Sequence, residues 1–139
     1  MSTLFITGGV GFIGSAFVKF TLSQNPNCRV VNYDALTYAG NLDNLQGVDK
    51  SRHQFIRGDI TNREEVFASV PENCDAIINF AAESHVDRSI TSADEFIQTN
   101  VLGTQVLLDV ARERQVQRFV QISTDEVMGS LSAEGYFNE

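Results

Sequence analysis

The sequence is poor in cysteine, in basic residues and in long apolar runs. Its two cysteines, Cys28 and Cys74, stand far apart without metal-ligand spacing, which favours reduced thiols over a disulfide or a metal site. Ten Lys and Arg against eighteen Asp and Glu give a net charge of −8, which argues against nucleic-acid binding because that needs basic groups to neutralise phosphates. No apolar run reaches the roughly 18 residues of a membrane span, and the first residues lack the basic flank of a secretory signal. We therefore expect a cytoplasmic protein with no metal site and with neither nucleic acid nor membrane among its partners.

Short apolar segments alternate along the chain with helical patterns. The predicted strands are at 3–7, 29–33, 53–57, 75–80 and 118–122, and the predicted helices at 14–23, 62–70 and 92–115, with a short helix near 41–45. The helix at 92–115 has a broad apolar surface, which we interpret as core or subunit interface. This alternation is typical of βαβ units. It predicts an α/β fold, a Rossmann-like doubly wound parallel sheet with helices on both faces, in one domain over 1–139 that is truncated after about five strands.

The stretch "FITGGVGFIGS" places glycines at 8, 9, 11 and 14 between a predicted strand and a predicted helix. Such a turn lets a pyrophosphate approach the backbone, and the helix N-terminus offers it free N–H donors. Asp34 follows Gly14 by twenty residues at the end of the second strand, where an acidic side chain accepts the ribose hydroxyls of a dinucleotide. A glycine-rich turn beside an unrelated surface aspartate is the alternative.

Asp34 also distinguishes NAD from NADP. A carboxylate about 4 Å from a 2′-phosphate would be repelled by ~4 kcal/mol per charge at an effective dielectric near 20. Screening reduces that repulsion, but the part that remains still decides between the two cofactors. The sequence therefore favours NAD.

Polar and small residues follow the third and fourth predicted strands. Asp59 and Ile60, in "GDIT", are positioned to flank an adenine, or else Asp59 or Thr61 caps the next helix. After the fourth strand, small Ala81 and Ala82 would allow close approach of a cofactor, and polar Glu83, Ser84 and His85 come next. Local sequence leaves open whether His85 contacts a ligand or is an ordinary loop residue.

The fifth predicted strand ends in a hydroxyl and two adjacent carboxylates, Thr124, Asp125 and Glu126. They form either a solvated helix N-cap with acids in its first turn or an acid–base pair at a strand end.

Six strings together resemble the amino-terminal half of the dTDP-glucose 4,6-dehydratases, within the extended short-chain dehydrogenase/reductase family. They are "TGGVGFIGS", "NYDALTYAGNLDNL", "GDI", "NFAAESHVDRSI", "TNVLGT" and "STDEV". The first occurs throughout the extended family, whereas "LTYAGN", "AAESHVDRSI" and "STDEV" in combination are much narrower. The resemblance runs from about residue 3 to the end of the chain.

The resemblance implies a role for each matching residue. The implied NAD contacts are Gly8, Gly11, Phe12, Ile13, Gly14, Asp34, Ala35, Leu36, Thr37, Asp59, Ile60, Ala81, Ala82, Glu83, Ser84, His85 and Thr99. His85 and Thr124 are implied to touch the sugar nucleotide as well. Asp125 corresponds to the general acid and Glu126 to the general base, while Thr124 orients the C4 oxygen of the sugar.

The reaction that the resemblance implies has three steps. NAD oxidises C4 of dTDP-glucose, water is eliminated across C5–C6, and the hydride returns to C6, giving dTDP-4-keto-6-deoxyglucose. Elimination needs one acid and one base near neighbouring carbons, and adjacent carboxylates supply both. The resemblance also implies a homodimer for the full-length enzyme.

The family's Tyr-x-x-x-Lys pair does not occur here, since only three residues follow Tyr136. Losing a general base costs a rate factor of about 10²–10⁴, so we expect this chain alone to be inactive. Three hypotheses remain open: the amino-terminal part of a dehydratase, a catalytically incomplete NAD-binding fragment, or another sugar-nucleotide dehydratase, epimerase or decarboxylase. The Thr-Asp-Glu sequence argues against an epimerase, which has no C5–C6 elimination to catalyse.

Overall fold

The computed structural model describes residues 1–85, 89–90, 92–130 and 135–137, and for Asp125 and Glu126 it describes the backbone alone. Its strands are β1 (Ser2–Thr7), β2 (Cys28–Asp34), β3 (His53–Arg57), β4 (Ala76–Asn79) and β5 (Arg118–Gln121). They form one sheet, in the order β3-β2-β1-β4-β5, and every pair of neighbours is parallel. The predicted parallel sheet is confirmed, with strand ends within one residue of those predicted.

The helices connect successive strands. They are α1 (Phe12–Gln24), α2 (Arg63–Ser69), α3 (Ala93–Phe96) and α4 (Thr104–Glu113), with 3₁₀ turns at Leu42–Leu45 and Asp125–Met128. Between α3 and α4 lies a π-helical stretch, Ile97–Gly103, here called the π segment. The helix predicted at 92–115 therefore forms, but with a widened centre that its apolar pattern did not indicate. Within the described residues, no helix is both long enough and apolar enough to span a bilayer.

Alternation along the strands places a hydrophobic layer on each face of the sheet, because successive side chains of a strand point to opposite faces. On one face the strands pack with α1, through Ile6, Val18, Leu22, Val30 and Ile78. On the other they pack with α2 and α4, through Phe5, Val31, Val66, Ile77, Leu107 and Val110. Helices on both faces and the order 3-2-1-4-5 are those of a doubly wound Rossmann-like sheet, which confirms the predicted fold class.

Adjacent leucines in α4 test how much the second layer contributes to stability. Leu107 is fully buried in that layer, whereas Leu108 is 47% exposed. We expect Leu107→Ala to lower the free energy of unfolding by about 2–5 kcal/mol through lost burial and a cavity. Leu108→Ala, the matched control in the same helix, should cost less than about 1 kcal/mol. Urea unfolding followed by circular dichroism measures both, and equal losses would contradict the packing described.

Candidate functional site

The carboxyl ends of β1, β2, β3 and β4 surround one open cleft. It is lined by Gly8, Gly11, Tyr33, Asp34, Ala35, Thr37, Ala39, Gly40, Gly58, Asp59, Ile60, Phe80, Ala81, Ala82, Glu83 and Thr99. Strand β1 lies between β2 and β4, so the chain leaves the sheet in opposite directions on either side of it. In open α/β sheets, ligands bind in the crevice at this switch point.

The turn from β1 to α1 is packed so closely that side chains are excluded from two of its glycines. Gly8 has a φ of +68°, and a Cβ there would lie 2.5 Å from the backbone nitrogen of Ala81. A Cβ on Gly14 would lie 2.2 Å from the carbonyl oxygen of Gly8. Gly11 differs, since its Cβ would meet only that same oxygen, at 3.3 Å, within a radius of 4 Å. The turn therefore keeps open space at Gly11, on the side that lines the cleft.

The N-terminus of α1 offers unused backbone donors beside Gly11. Gly11 is the N-cap, no side chain caps this end, and the first turn has no acidic residue. Ser15 N–H is the first that bonds back, to the Gly11 carbonyl at 3.0 Å, so the amides of residues 12–14 have no partner within the helix. Free amides and the helix dipole favour an anion at this position.

Asp34 is held rigidly at the end of β2. It is 8% exposed, and its two carboxylate oxygens accept hydrogen bonds from Val10 N–H at 3.1 Å and from Leu36 N–H at 2.9 Å. The second bond closes a tight turn in which Leu36 has a φ of +54°. Each oxygen keeps a further lone pair, so the carboxylate can accept donors from a ligand in the cleft.

The third strand end contributes Asp59 and Ile60 to the cleft. One Asp59 carboxylate oxygen accepts from both the N–H and the hydroxyl of Thr61, each at 2.8 Å. Neither residue caps α2, so that alternative is wrong: the cap is Asn62, which accepts from Glu65 N–H at 3.2 Å. Asn62 comes directly after the turn that Asp59 and Thr61 close. Its side-chain oxygen, Oδ1, therefore lies at the start of α2 and caps the helix.

A buried side-chain network joins the ends of β1, β4 and β5. Asn79, which is fully buried, accepts a hydrogen bond from the Thr7 hydroxyl and another from Ala81 N–H at 3.1 Å. Its amide group donates to Gln121 at 2.9 Å. The network fixes the loop after β4 relative to the glycine turn.

The π segment supports the same loop from the helix side. Asn100 accepts from Glu83 N–H at 2.9 Å and donates to the Glu83 carbonyl at 2.8 Å, while Thr99 beside it lines the cleft. The Glu83 carboxylate accepts from the Tyr38 hydroxyl at 3.1 Å, which links the loops after β2 and β4. π-helical turns are frequent at functional sites, and this one presents Thr99 to the cleft and Asn100 to the loop beside it.

The structure gathers most of the predicted cofactor residues around the cleft, but not all. Among its lining are Gly8, Gly11, Asp34, Ala35, Thr37, Asp59, Ile60, Ala81, Ala82, Glu83 and Thr99. Six predicted residues are not part of that lining, namely Phe12, Ile13, Gly14, Leu36, Ser84 and His85. The side chains of Phe12 and Ile13 are 90% and 62% exposed, and their backbone amides have no partner within the helix. Residues 86–88 of the motif "AAESHVDRSI" lie outside the described residues.

Of the three predicted catalytic residues, only Thr124 has a described side chain, and it is not among the residues that line the cleft. Thr124 is exposed and immediately precedes the 3₁₀ turn Asp125–Met128. The side chains of Asp125 and Glu126 are outside the described part of the chain. Their catalytic roles therefore stay predictions.

Five lining residues were missed from sequence, namely Tyr33, Ala39, Gly40, Gly58 and Phe80. Gly40 and Gly58 lie inside the quoted strings "LTYAGN" and "GDIT", so these two glycines could have been predicted. Tyr33 stands directly before Asp34 in the quoted string "NYDALTYAGNLDNL", but its side chain reads as an ordinary core residue of a strand.

Comparison with known proteins places these features in a family context. The model of the family described as GDP-mannose 4,6 dehydratase matches residues 5–139. The low-salt glycan biosynthesis protein Agl12 of Haloferax volcanii is 55% identical over 96% of the chain and 43% of its own length. The dTDP-glucose 4,6-dehydratase of Xanthomonas campestris pv. campestris is 47% identical over 100% of the chain and 42% of its length. The chain thus spans about two fifths of these relatives.

A solved structure is similar over the whole chain. The dTDP-glucose 4,6-dehydratase of Bacillus anthracis, crystallised in complex with NAD, superimposes with a TM-score of 0.86 at 40% identity. The match covers 100% of this chain and 43% of that one.

Gly14 and Gly11 should respond differently to substitution by alanine, because only Gly14 is packed tightly against backbone atoms. Gly14→Ala should lower the free energy of unfolding by about 1–3 kcal/mol, because its Cβ would overlap the Gly8 carbonyl. Gly11→Ala meets no comparable obstacle and should cost less than about 1 kcal/mol as a poorer N-cap. Thermal and urea unfolding measure both variants. If Gly11→Ala were the more damaging, the turn would not be packed as described.

Proposed function

We propose that residues 1–139 form the NAD-binding domain of a cytoplasmic dTDP-glucose 4,6-dehydratase. The chain belongs to the GDP-mannose 4,6 dehydratase family, and the proposal starts from that membership. The observation that carries the proposal is the Asp34 carboxylate, fixed by Val10 N–H and Leu36 N–H at the rim of a cleft that begins at the glycine turn. The relatives that bear the dehydratase name support the sugar-nucleotide class.

The described residues fit a dinucleotide in extended form. Asp34 would accept the hydroxyls of the adenosine ribose, and Asp59 and Ile60 would flank the adenine. The amides at the start of α1, beside the space left at Gly11, would hold the pyrophosphate. When bound, NAD would supply a hydride acceptor at C4 of the sugar and a hydride donor at C6.

The chain's own carboxylates would carry out the elimination. Glu126 would remove the C5 proton and Asp125 would protonate the departing C6 hydroxyl, while the Thr124 hydroxyl would orient the C4 oxygen. The turn that begins at Asp125 is separated from the end of β5 by only three residues, 122–124, and β5 is tied to the cleft by the Asn79–Gln121 hydrogen bond. This connection supports a role for the three residues at the same edge of the sheet. A homodimer of the full-length enzyme remains part of the proposal.

Cofactor selectivity tests the role of Asp34. The 139-residue chain should bind NAD at least tenfold more tightly than NADP, because the carboxylate repels a 2′-phosphate. Asp34→Asn removes the charge and should lower the ratio of NAD affinity to NADP affinity severalfold. Isothermal titration measures both affinities, and the ratio is insensitive to a uniform loss of folded protein. As a control, Asp43→Asn removes an exposed carboxylate outside the cleft and should leave the ratio unchanged. Equal affinities for the two cofactors in the unaltered chain would contradict the assignment.

The catalytic roles are tested in a chimaera of residues 1–139 with the remaining carboxyl-terminal part of the Xanthomonas campestris dehydratase. We expect mass spectrometry to show that dTDP-glucose loses one water with this chimaera and NAD, while the 139-residue chain alone produces no loss. Asp125→Asn and Glu126→Gln should each slow the reaction by about 10²–10⁴-fold. Glu72→Gln, which changes an exposed carboxylate away from the cleft, is the matched control. Full activity in either of the first two variants would refute the assigned roles.

A further inference from the structure

Tyr33 is a core residue whose hydroxyl group extends to the cleft. It is fully buried, and its ring packs 5.5 Å from that of Phe5, centroid to centroid, in the layer under α2 and α4. The hydroxyl donates a hydrogen bond to the Asp59 carbonyl at 3.0 Å. Tyr33 therefore connects the hydrophobic core to the turn that carries Asp59 and Ile60.

The same hydroxyl leaves no room for a side chain on the residue before Asp59. A Cβ on Gly58 would lie 2.2 Å from the Tyr33 hydroxyl oxygen, so a side chain there would displace either the ring or the turn. Gly58 N–H also donates to the Asp34 carbonyl at 3.0 Å. The turn after β3 is thus fastened to the end of β2 at two successive residues, through Gly58 N–H and the Asp59 carbonyl.

We propose that Tyr33 is a positioning residue for the adenosine end of the dinucleotide. Its hydroxyl holds the turn at Asp59 and Ile60 at a fixed distance from Asp34, so that one adenosine meets the ribose acceptor and the adenine-flanking residues together. The inference rests on the proposed NAD binding and assigns a role to a residue outside the predicted site. Nothing in it requires Tyr33 to touch the ligand.

The hydroxyl group is a dependable donor at this position. Burial, with the nearby charges of Glu65 and Asp59, raises the pKa of Tyr33 to about 12, so the group stays protonated at all pH values of interest. The Asp59 carbonyl also accepts from Asn62 N–H at 3.1 Å. Removing the Tyr33 hydroxyl therefore leaves that carbonyl one partner, and the fold should persist while the turn loses one of its two ties to β2.

The test is Tyr33→Phe in the 139-residue chain, with NAD and AMP as the two ligands. Loss of one neutral hydrogen bond should weaken both affinities by the same factor, about threefold to tenfold. Leu107→Ala is the control, because it lowers stability in the same layer without lining the cleft. Under conditions where all proteins are folded by circular dichroism, the control should bind NAD and AMP as the unaltered chain does.

The outcomes separate the inference from the proposed function. Unchanged NAD affinity in Tyr33→Phe would overturn the positioning role, as would a loss confined to NAD with AMP binding intact. If Leu107→Ala weakened NAD and AMP binding equally, the effect would come from lost stability in general, and the positioning role would be overturned too. If the unaltered chain binds neither ligand, the proposed NAD binding itself fails, and the inference falls with it.

Discussion

The close packing of the glycine turn is the constraint on which the rest of the site depends. Gly8 lies against the backbone of Ala81, and Gly14 lies against the carbonyl of Gly8. These contacts bring the ends of β1 and β4 and the start of α1 within backbone distance of one another. A methyl group at either glycine would push them apart. Gly9 packs in the same way on the side chain of Asn32, whose Oδ1 is buried and has no hydrogen-bond partner among the described residues. The turn thus tolerates an unpaired polar atom to keep its shape.

The electrostatic character of the cleft differs from that of the chain as a whole. A net charge of −8 would repel an anion at long range, but the amides at the start of α1 present partial positive charge at short range. Asp34, bonded to Val10 N–H in the turn, adds a negative charge that suits hydroxyl donors rather than phosphate. Composition therefore argues against a polyanionic partner such as nucleic acid but not against a small ligand that places its phosphates on backbone amides.

Sequence patterns predicted the fold closely because the features that determine the strands and the cleft are local in the sequence. Strands β1, β2 and β4 are short apolar runs, and the glycines with Asp34 mark the cleft through a fixed spacing. The π segment could not be predicted in this way, because it accompanies contacts that only the folded chain makes, between Asn100 and Glu83 and between Gly103 and Ile60. The cap of α2 was missed for a related reason. Asp59, Thr61 and Asn62 all suit a cap, and the geometry of the turn, rather than propensity, selects Asn62.

The two halves of the proposed chemistry are supported unequally by the sheet. The cleft is built from the ends of β1 to β4, of which β2 and β4 consist almost wholly of buried residues, whereas β5 has one partly buried residue, Phe119, among four. The strand that leads to Thr124 is tied to the cleft chiefly through Asn79, by its carbonyl to Ile122 N–H and by its side chain to exposed Gln121. A strand held on one side and covered little depends on further packing for its position. Of the two proposed roles, dinucleotide binding therefore depends more on these residues alone, whereas the acid–base role depends more on the length that the relatives possess beyond the part matched here.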